Sequence, residues 1–255
     1  MKAWEKYYYE VADREECKSE KRKKILDYIL DNIQEGDKLL EIGCGTAIIT
    51  KYLPENVTYI GLDVSDYALK MAKKRRNVKL INASADKIPF TNEVFDFVLA
   101  IFSLEHLNRP KESLLEMIRV LKRGSYLIIC APNLEMPLAF PSALRHTDKI
   151  FRLKFHFLRF YDYLLRLFGQ YNFRIIKENY LQKTGQYEIA DDDLVYLVSS
   201  FEVVHFLQKN GFKKIFVNTF RINTKNTKNT IKKWITYLPG MQYYGVELFI
   251  IAEKI

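Results

Sequence analysis

Lys38-Leu39-Leu40-Glu41-Ile42-Gly43-Cys44-Gly45-Thr46-Ala47 decides how the rest of the chain is read. Its first five residues form a short apolar run stopped by glycine, the signature of a buried strand. Small residues then recur at 43, 45 and 47. They let the backbone turn sharply and let a ligand approach the N-terminus of a following helix, which the pattern predicts over 46–53, closed by Pro54. A dinucleotide fingerprint spaces its glycines by two and then three residues, which would require glycine where Ile48 stands. That spacing argues against a dehydrogenase.

Outward from this stretch, strand and helix signals alternate. Apolar runs predict strands over 57–62, 78–82, 95–101 and 126–131. Helical spacing covers 18–33, 67–75 with Ser65 as N-cap, and 111–121. Such alternation means βαβ units, a parallel sheet and right-handed crossovers, with helices on both faces. A last helix over 201–210 ends at Gly211 and is followed by strands over 214–220 and 247–254. The polar tract at 223–230 between these strands reads as an exposed loop. At the end of the second strand, eighteen residues after Gly45, Asp63 can accept hydrogen bonds from both hydroxyls of a ribose.

With these residues in place the chain resembles the class I S-adenosylmethionine-dependent methyltransferases of the small-molecule type. The resemblance covers about residues 36–135 and 195–255. Glu41-Ile-Gly43-Cys44-Gly45-Thr-Ala47 resembles the family's first motif, whose loop lies under the methionine part of the cofactor, and Asp63 resembles its ribose acid. Ser84-Ala85-Asp86 resembles the segment flanking the adenine, and residues 95–107 resemble the fourth-strand segment beside the transferring methyl. The turn from Arg119 into the fifth strand is also similar. The resemblance implies an α/β, Rossmann-like fold: a seven-stranded, mostly parallel sheet with an antiparallel last strand, plus a helical lid insertion. It implies one domain over 1–255, with a core at 36–135 and 195–255, an N-terminal helical cap at 1–35 and a substrate-side insertion at 141–195. It implies S-adenosylmethionine as cofactor, bound by Glu41, Gly43, Cys44, Gly45, Asp63, Val64, Ser84, Ala85, Asp86 and Ile101.

Two positions depart from the family pattern. Its third glycine is Ala47 here, and the acid expected at the adenine amino group falls at Ser84, which weakens that contact or passes it to Asp86. Trp4, Tyr7, Tyr8 and Tyr9 either form an aromatic lid over the cofactor or pack on the sheet edge.

Methyl transfer from a sulfonium needs alignment and exclusion of water more than acid–base help. A hydroxyl acceptor, however, must lose a proton. His106, just after the fourth strand, is the candidate base, its alternative role being a local hydrogen bond that holds the loop. Glu105 titrates too low for that task unless buried. His146, His156 and His205 read as surface or core residues, and Cys44 as a small loop residue rather than a nucleophile.

Hydrophobic residues are 48% of the 255 and charged residues 28%, a globular balance that excludes a disordered chain. Three cysteines without metal or disulfide spacing, and a start with no apolar stretch, predict a cytoplasmic protein without a secretory signal. The largely apolar stretch 98–104, broken only by Ser103, is too short to cross a bilayer. Net charge is +9, and it is unevenly placed: residues 1–140 carry +1 and residues 141–255 carry +8. The surplus therefore belongs to the region where this fold chooses its acceptor.

If residues 145–168 form a helix, Arg145, Lys149, Arg152, Arg159 and Arg166 fall within about a third of its circumference at about 100° per residue. The aromatic and aliphatic residues from Phe151 to Phe168 occupy the rest. The favoured reading is a lid helix that buries its apolar face and keeps its arginines solvated. The alternative is peripheral contact with a membrane surface or a lipid-linked substrate. Asp191-Asp192-Asp193 reads as a cap for the next helix, and the segment resembles methyltransferases of cell-surface glycan assembly.

The expected function is methyl transfer to oxygen on a small-molecule, glycan or lipid-linked acceptor. An RNA methyltransferase using Lys225, Lys228, Lys232 and Lys233, or a non-catalytic cofactor-binding protein, are the alternatives. Nucleic acid is disfavoured because the fourth strand ends in Ile101-Phe102-Ser103-Leu104 rather than in a tetrad suited to base amines.

Overall fold

The computed structural model describes residues 8–9, 20–134, 140–188, 192–220 and 247–255. In chain order these form α1 (Glu20–Asn32), β1 (Lys38–Ile42), β2 (Thr58–Asp63), α2 (Asp66–Ala72), β3 (Val78–Asn82), β4 (Phe95–Ile101), α3 (Pro110–Val120) and β5 (Leu121–Pro132). They continue with α4 (Lys149–Leu167), α5 (Tyr180–Thr184), α6 (Ser200–Lys209), β6 (Phe212–Phe220) and β7 (Glu247–Lys254). The strands make one seven-stranded sheet in the order β3-β2-β1-β4-β5-β7-β6, mostly parallel with one antiparallel strand. The expected α/β architecture is the observed one.

The described residues fall into two compact units. One takes the residues up to Ser103 together with Glu112–Ile128 and Glu253–Ile255; the other takes Leu104–Lys111 and Ile129–Ala252.

In the first unit, β1 and β2 are buried along almost their whole length, because helices cover both faces of a parallel sheet. β1 pairs in parallel with β2 (Ile42 opposite Leu62) and with β4 (Ile42 opposite Ala100), and β2 with β3 (Asp63 opposite Asn82). The carboxyl ends of four strands are thereby aligned, and the loops leaving them lie side by side. Ser65 caps α2 as expected, its side chain accepting from the Ala68 N–H. Arg119 fastens the loop before β4 by donating to the carbonyls of Ile88 and Phe90 while pairing with Glu116. The predicted helix at 46–53 is instead a single 3-10 turn, Ile48–Lys51. Its N-cap, Ala47, offers no side-chain acceptor, and a β-branched run (Ile48, Ile49, Thr50) resists helix. β5 starts five residues earlier than its apolar run predicts.

The second unit has its own apolar cluster of Ala143, Leu144, Phe155, Ile176, Leu194 and Leu197, with Phe140 against Phe155 edge to face at 5.2 Å. Ion pairs tie its elements, among them Arg145 with Asp192, Arg174 with Asp162 at 2.5 Å, and Arg166 with Glu202 at 3.7 Å. These overturn two expectations. The acidic run does not cap α6; Ser199 does, accepting from the Glu202 N–H, while Asp192 is fully buried against Arg145. α4 starts at Lys149 behind the N-cap Asp148, so Arg145 lies outside the helix and Arg166 is paired rather than solvated. The expected burial of the apolar face also fails: α4 buries Phe155 and Asp162 and leaves Phe157, Phe160 and Leu164 exposed. The tract at 223–230 and the lysines at 225–233 lie outside the described residues.

Candidate active site

Three turns of tightly constrained backbone follow β1. Gly43 has φ +66°, and a Cβ there would sit 2.5 Å from the Ser103 Cβ, so the position excludes any side chain. The N–H groups of Gly43 and Cys44 both donate to the Leu62 carbonyl, at 2.7 and 3.1 Å. Gly45 (φ +51°) and Ala47 (φ 52°) are also left-handed. Ala47 therefore adopts the conformation that the family's third glycine would provide, at a cost of about 1–2 kcal/mol for an L-residue.

Asp63, at the end of β2 and 7% exposed, braces this loop. Its Oδ2 accepts from the Gly45 N–H and its Oδ1 from the Ser65 N–H, both at 2.8 Å. An ionised carboxylate only accepts hydrogen bonds, the chemistry that ribose hydroxyls require. Val64 stands exposed directly after it. The Ala83 N–H donates to the Asp63 carbonyl at 3.3 Å, which brings the loop after β3 to the same place. In that loop Ser84, which stands where the family's adenine acid would be, donates to the carboxylate of Asp86, and Ala85 is buried. Ile101 ends β4 one residue past the Ile42–Ala100 register pair. Phe102 then takes φ 50°, a strained value for an aromatic residue and a feature that periodicity does not reveal.

Glu41 points into the core, where its Oε2 accepts from the Tyr59 hydroxyl at 2.5 Å. Burial, reinforced by the charges of Glu41 and Asp63, pushes the Cys44 thiol well above its ordinary range. A thiol so disfavoured as thiolate is no nucleophile, in line with the sequence reading. The Tyr9 ring lies 3.5 Å from where a Gly45 Cβ would be and faces Tyr67 at 6.3 Å. It therefore packs against the glycine loop. Trp4 and Tyr7 lie outside the described residues.

The second unit contains the 3-10 turn Leu104–His106 that follows β4 in sequence. The Glu105 carbonyl accepts the N–H groups of Val195 and Tyr196, at 2.9 and 2.8 Å, which clamps the turn to the segment after the acidic run. His106 Nδ1 is thereby 3.4 Å from Asp193 Oδ1, and its Nε2 is 3.9 Å from Glu105 Oε1. Asp193 was missed as a partner because it lies far along the chain from His106. The Glu105 side chain is itself buried, 1% exposed. His205 stacks on Tyr171 at 3.8 Å, and burial together with Lys209 holds its imidazole below the usual range. His146 and His156 lie among the aromatic rings of Tyr180 and of Phe140 and Phe155.

Residues 40–129 match the family model described as a methyltransferase domain. The chain is 31% identical over 175 residues to a demethylmenaquinone methyltransferase of Geobacillus stearothermophilus, covering 64% of this chain and 69% of that protein. It is 27% identical over 235 residues to an uncharacterized protein of Methanocaldococcus jannaschii, covering 90% and 80% of the two chains. Several other curated relatives are matched over only 40–44% of their own length. Among solved structures, an S-adenosylmethionine-dependent methyltransferase of Archaeoglobus fulgidus superposes with a TM-score of 0.62 at 18% identity, over 97% of this chain and all of that one. The chain belongs to the class I S-adenosylmethionine-dependent methyltransferases, and S-adenosylmethionine is its cofactor. The glycine loop that admits no side chain, and the buried carboxylate at the end of β2 that braces it, fit that cofactor.

Proposed function

We propose that this enzyme methylates a hydroxyl oxygen of a small-molecule, glycan or lipid-linked acceptor, with His106 as general base. The observation that carries this reading is the 3.4 Å approach of Asp193 to His106 Nδ1. The two groups are within ion-pairing reach without a hydrogen bond between them, so the Asp193 charge would stabilise the imidazolium that forms when His106 takes a proton. The clamp of the Glu105 carbonyl to residues 195–196 fixes the ring's position.

On the cofactor side, Gly43, Cys44 and Gly45 hold the methionine part and Asp63 the ribose. Val64, Ser84, Ala85 and Asp86 flank the adenine; Ile101 borders the methyl end; and Glu41 supports the loop from beneath. When bound, S-adenosylmethionine supplies a methyl group on a sulfonium, already activated for displacement. The protein has only to align the acceptor and remove its proton. The end of the fourth strand in Ile101-Phe102-Ser103-Leu104 supports a small acceptor over a nucleic acid. Two of the relatives are named ubiquinone/menaquinone biosynthesis C-methyltransferases, a carbon acceptor for those proteins. Removing a ring hydroxyl's proton activates the adjacent carbon as well, so product analysis separates the two outcomes.

The test uses methyl-labelled S-adenosylmethionine with hydroxylated aromatic, glycan and polyprenyl acceptors. His106→Gln should lower turnover about a hundredfold with cofactor affinity unchanged. Asp193→Asn should lower it about tenfold and shift the pH profile. Equal turnover in wild type and H106Q would remove the base role.

A further inference from the structure

α4 turns its apolar side outward. Ile150, Leu153, Phe157, Phe160, Leu164 and the C-cap residue Phe168 are all exposed, Phe157 at 68% and Phe168 at 81%. Their spacing of three and four residues places them within about 80° of arc at about 100° per residue. Phe155 and Asp162, only 5% and 4% exposed, lie diametrically opposite and anchor the helix to its unit. The anchoring is specific, since Asp162 accepts two hydrogen bonds from Arg174 at 2.5 Å. An exposed stripe of this size marks an interaction surface.

The charges beside the stripe say what it meets. Lys149 lies about 20° beyond one margin and Lys154 about 40° beyond the other, each long enough to reach past the apolar side chains. Arg152 adds a third cation on the same helix. The helix's single acid, Asp162, is buried on the opposite face, and the exposed Asp148 before it is committed to the Phe151 N–H at 2.7 Å. A second copy stacked on this stripe would bring lysines against lysines with no acid on the flanks to match them. An anionic bilayer complements both the apolar stripe and its cationic margins. Among the described residues no helix is long and apolar enough to cross a membrane, so α4 would lie along the surface.

We propose that α4 is an interfacial membrane-docking helix, seated by this stripe in a bilayer containing anionic lipid. This surface is independent of which acceptor the enzyme methylates.

Co-sedimentation of the full chain with vesicles of phosphatidylcholine, alone or with phosphatidylglycerol, tests it. The wild type should bind the anionic vesicles at least about tenfold more tightly than the neutral ones. Phe157→Asp should lose about tenfold or more of that binding, the worth of one buried side chain. Lys149→Glu with Lys154→Glu should lose about tenfold on anionic vesicles only. Phe157 is exposed, so circular dichroism and cofactor affinity should not change; if that variant fails to fold, Leu153→Asp reads the same face. Equal vesicle binding by wild type and Phe157→Asp, or none by the wild type, would overturn the proposal. So would a wild-type dimer in solution that Phe157→Asp converts to monomer.

Discussion

The loop after β1 and the helix α4 stand at opposite extremes of how a sequence spends its small and large residues. The loop uses glycine and alanine to admit nothing but backbone, and every N–H from Gly43 to Gly45 has an acceptor within the fold. α4 uses phenylalanine and leucine yet buries almost none of them. Charge follows the same division, +1 for residues 1–140 against +8 for 141–255. The contrast teaches that the first region is shaped by close packing around a fixed cofactor, whereas the second holds itself together by ion pairs and keeps its apolar surface for something else.

The comparison breaks most readily at Gly43. Gly43→Ala puts a methyl against the Ser103 Cβ at a left-handed φ, and should cost about 3 kcal/mol of stability with loss of cofactor binding. Denaturant melts and calorimetry with S-adenosylmethionine would check both; a well-folded variant with normal affinity would show the loop to be less constrained than its geometry. Next, Asp63→Ala removes the acceptor of two backbone N–H groups and of the ribose hydroxyls. Calorimetry should show affinity lower by about a hundredfold.

Smaller effects sharpen the second region. Asp192→Ala breaks the pair with Arg145, which keeps Glu188 as a partner at 3.1 Å. Stability should fall by about 2 kcal/mol, less than for a wholly buried pair, with cofactor affinity retained. The smallest effect is electrostatic and belongs to the first region. The Arg119 guanidinium, with the Ile88 N–H, holds the Glu116 carboxyl below its ordinary value of 4.5. That stabilisation is present above pH 4.5 and is lost as pH falls through the depressed value. Glu116→Gln should therefore cost about 1 kcal/mol near neutrality, and the gap to wild type should close in acid. A gap that persists at low pH would assign the effect to packing.

Much of the first region was legible in the residues themselves. β1, β2 and β4 read correctly because strands buried on both faces are continuous apolar runs, the edge strand β3 because Val78, Leu80 and Ile81 still mark it, and Ser65 because its hydroxyl caps locally. The glycine loop and Asp63 were legible as residues at consecutive strand ends. The helix after the loop was misread, because its start depended on the left-handed turn at Ala47. Asp193 and Asp192 were misassigned together: an acidic triplet looks like a cap until the fold brings His106 and Arg145 to it. The burial of α4 was misjudged for a similar reason, since a helical wheel shows which residues share a face and not which face the neighbours cover.

By itself, then, the sequence determined the strand order's raw material, the glycine cradle and the ribose acid, all properties carried by a few adjacent residues through backbone sterics and local hydrogen bonds. The pairing of His106 with Asp193, the commitment of the arginines and the outward face of α4 were decided only by tertiary structure. Each depends on groups distant in sequence, and such groups meet only once packing has fixed where the chain returns.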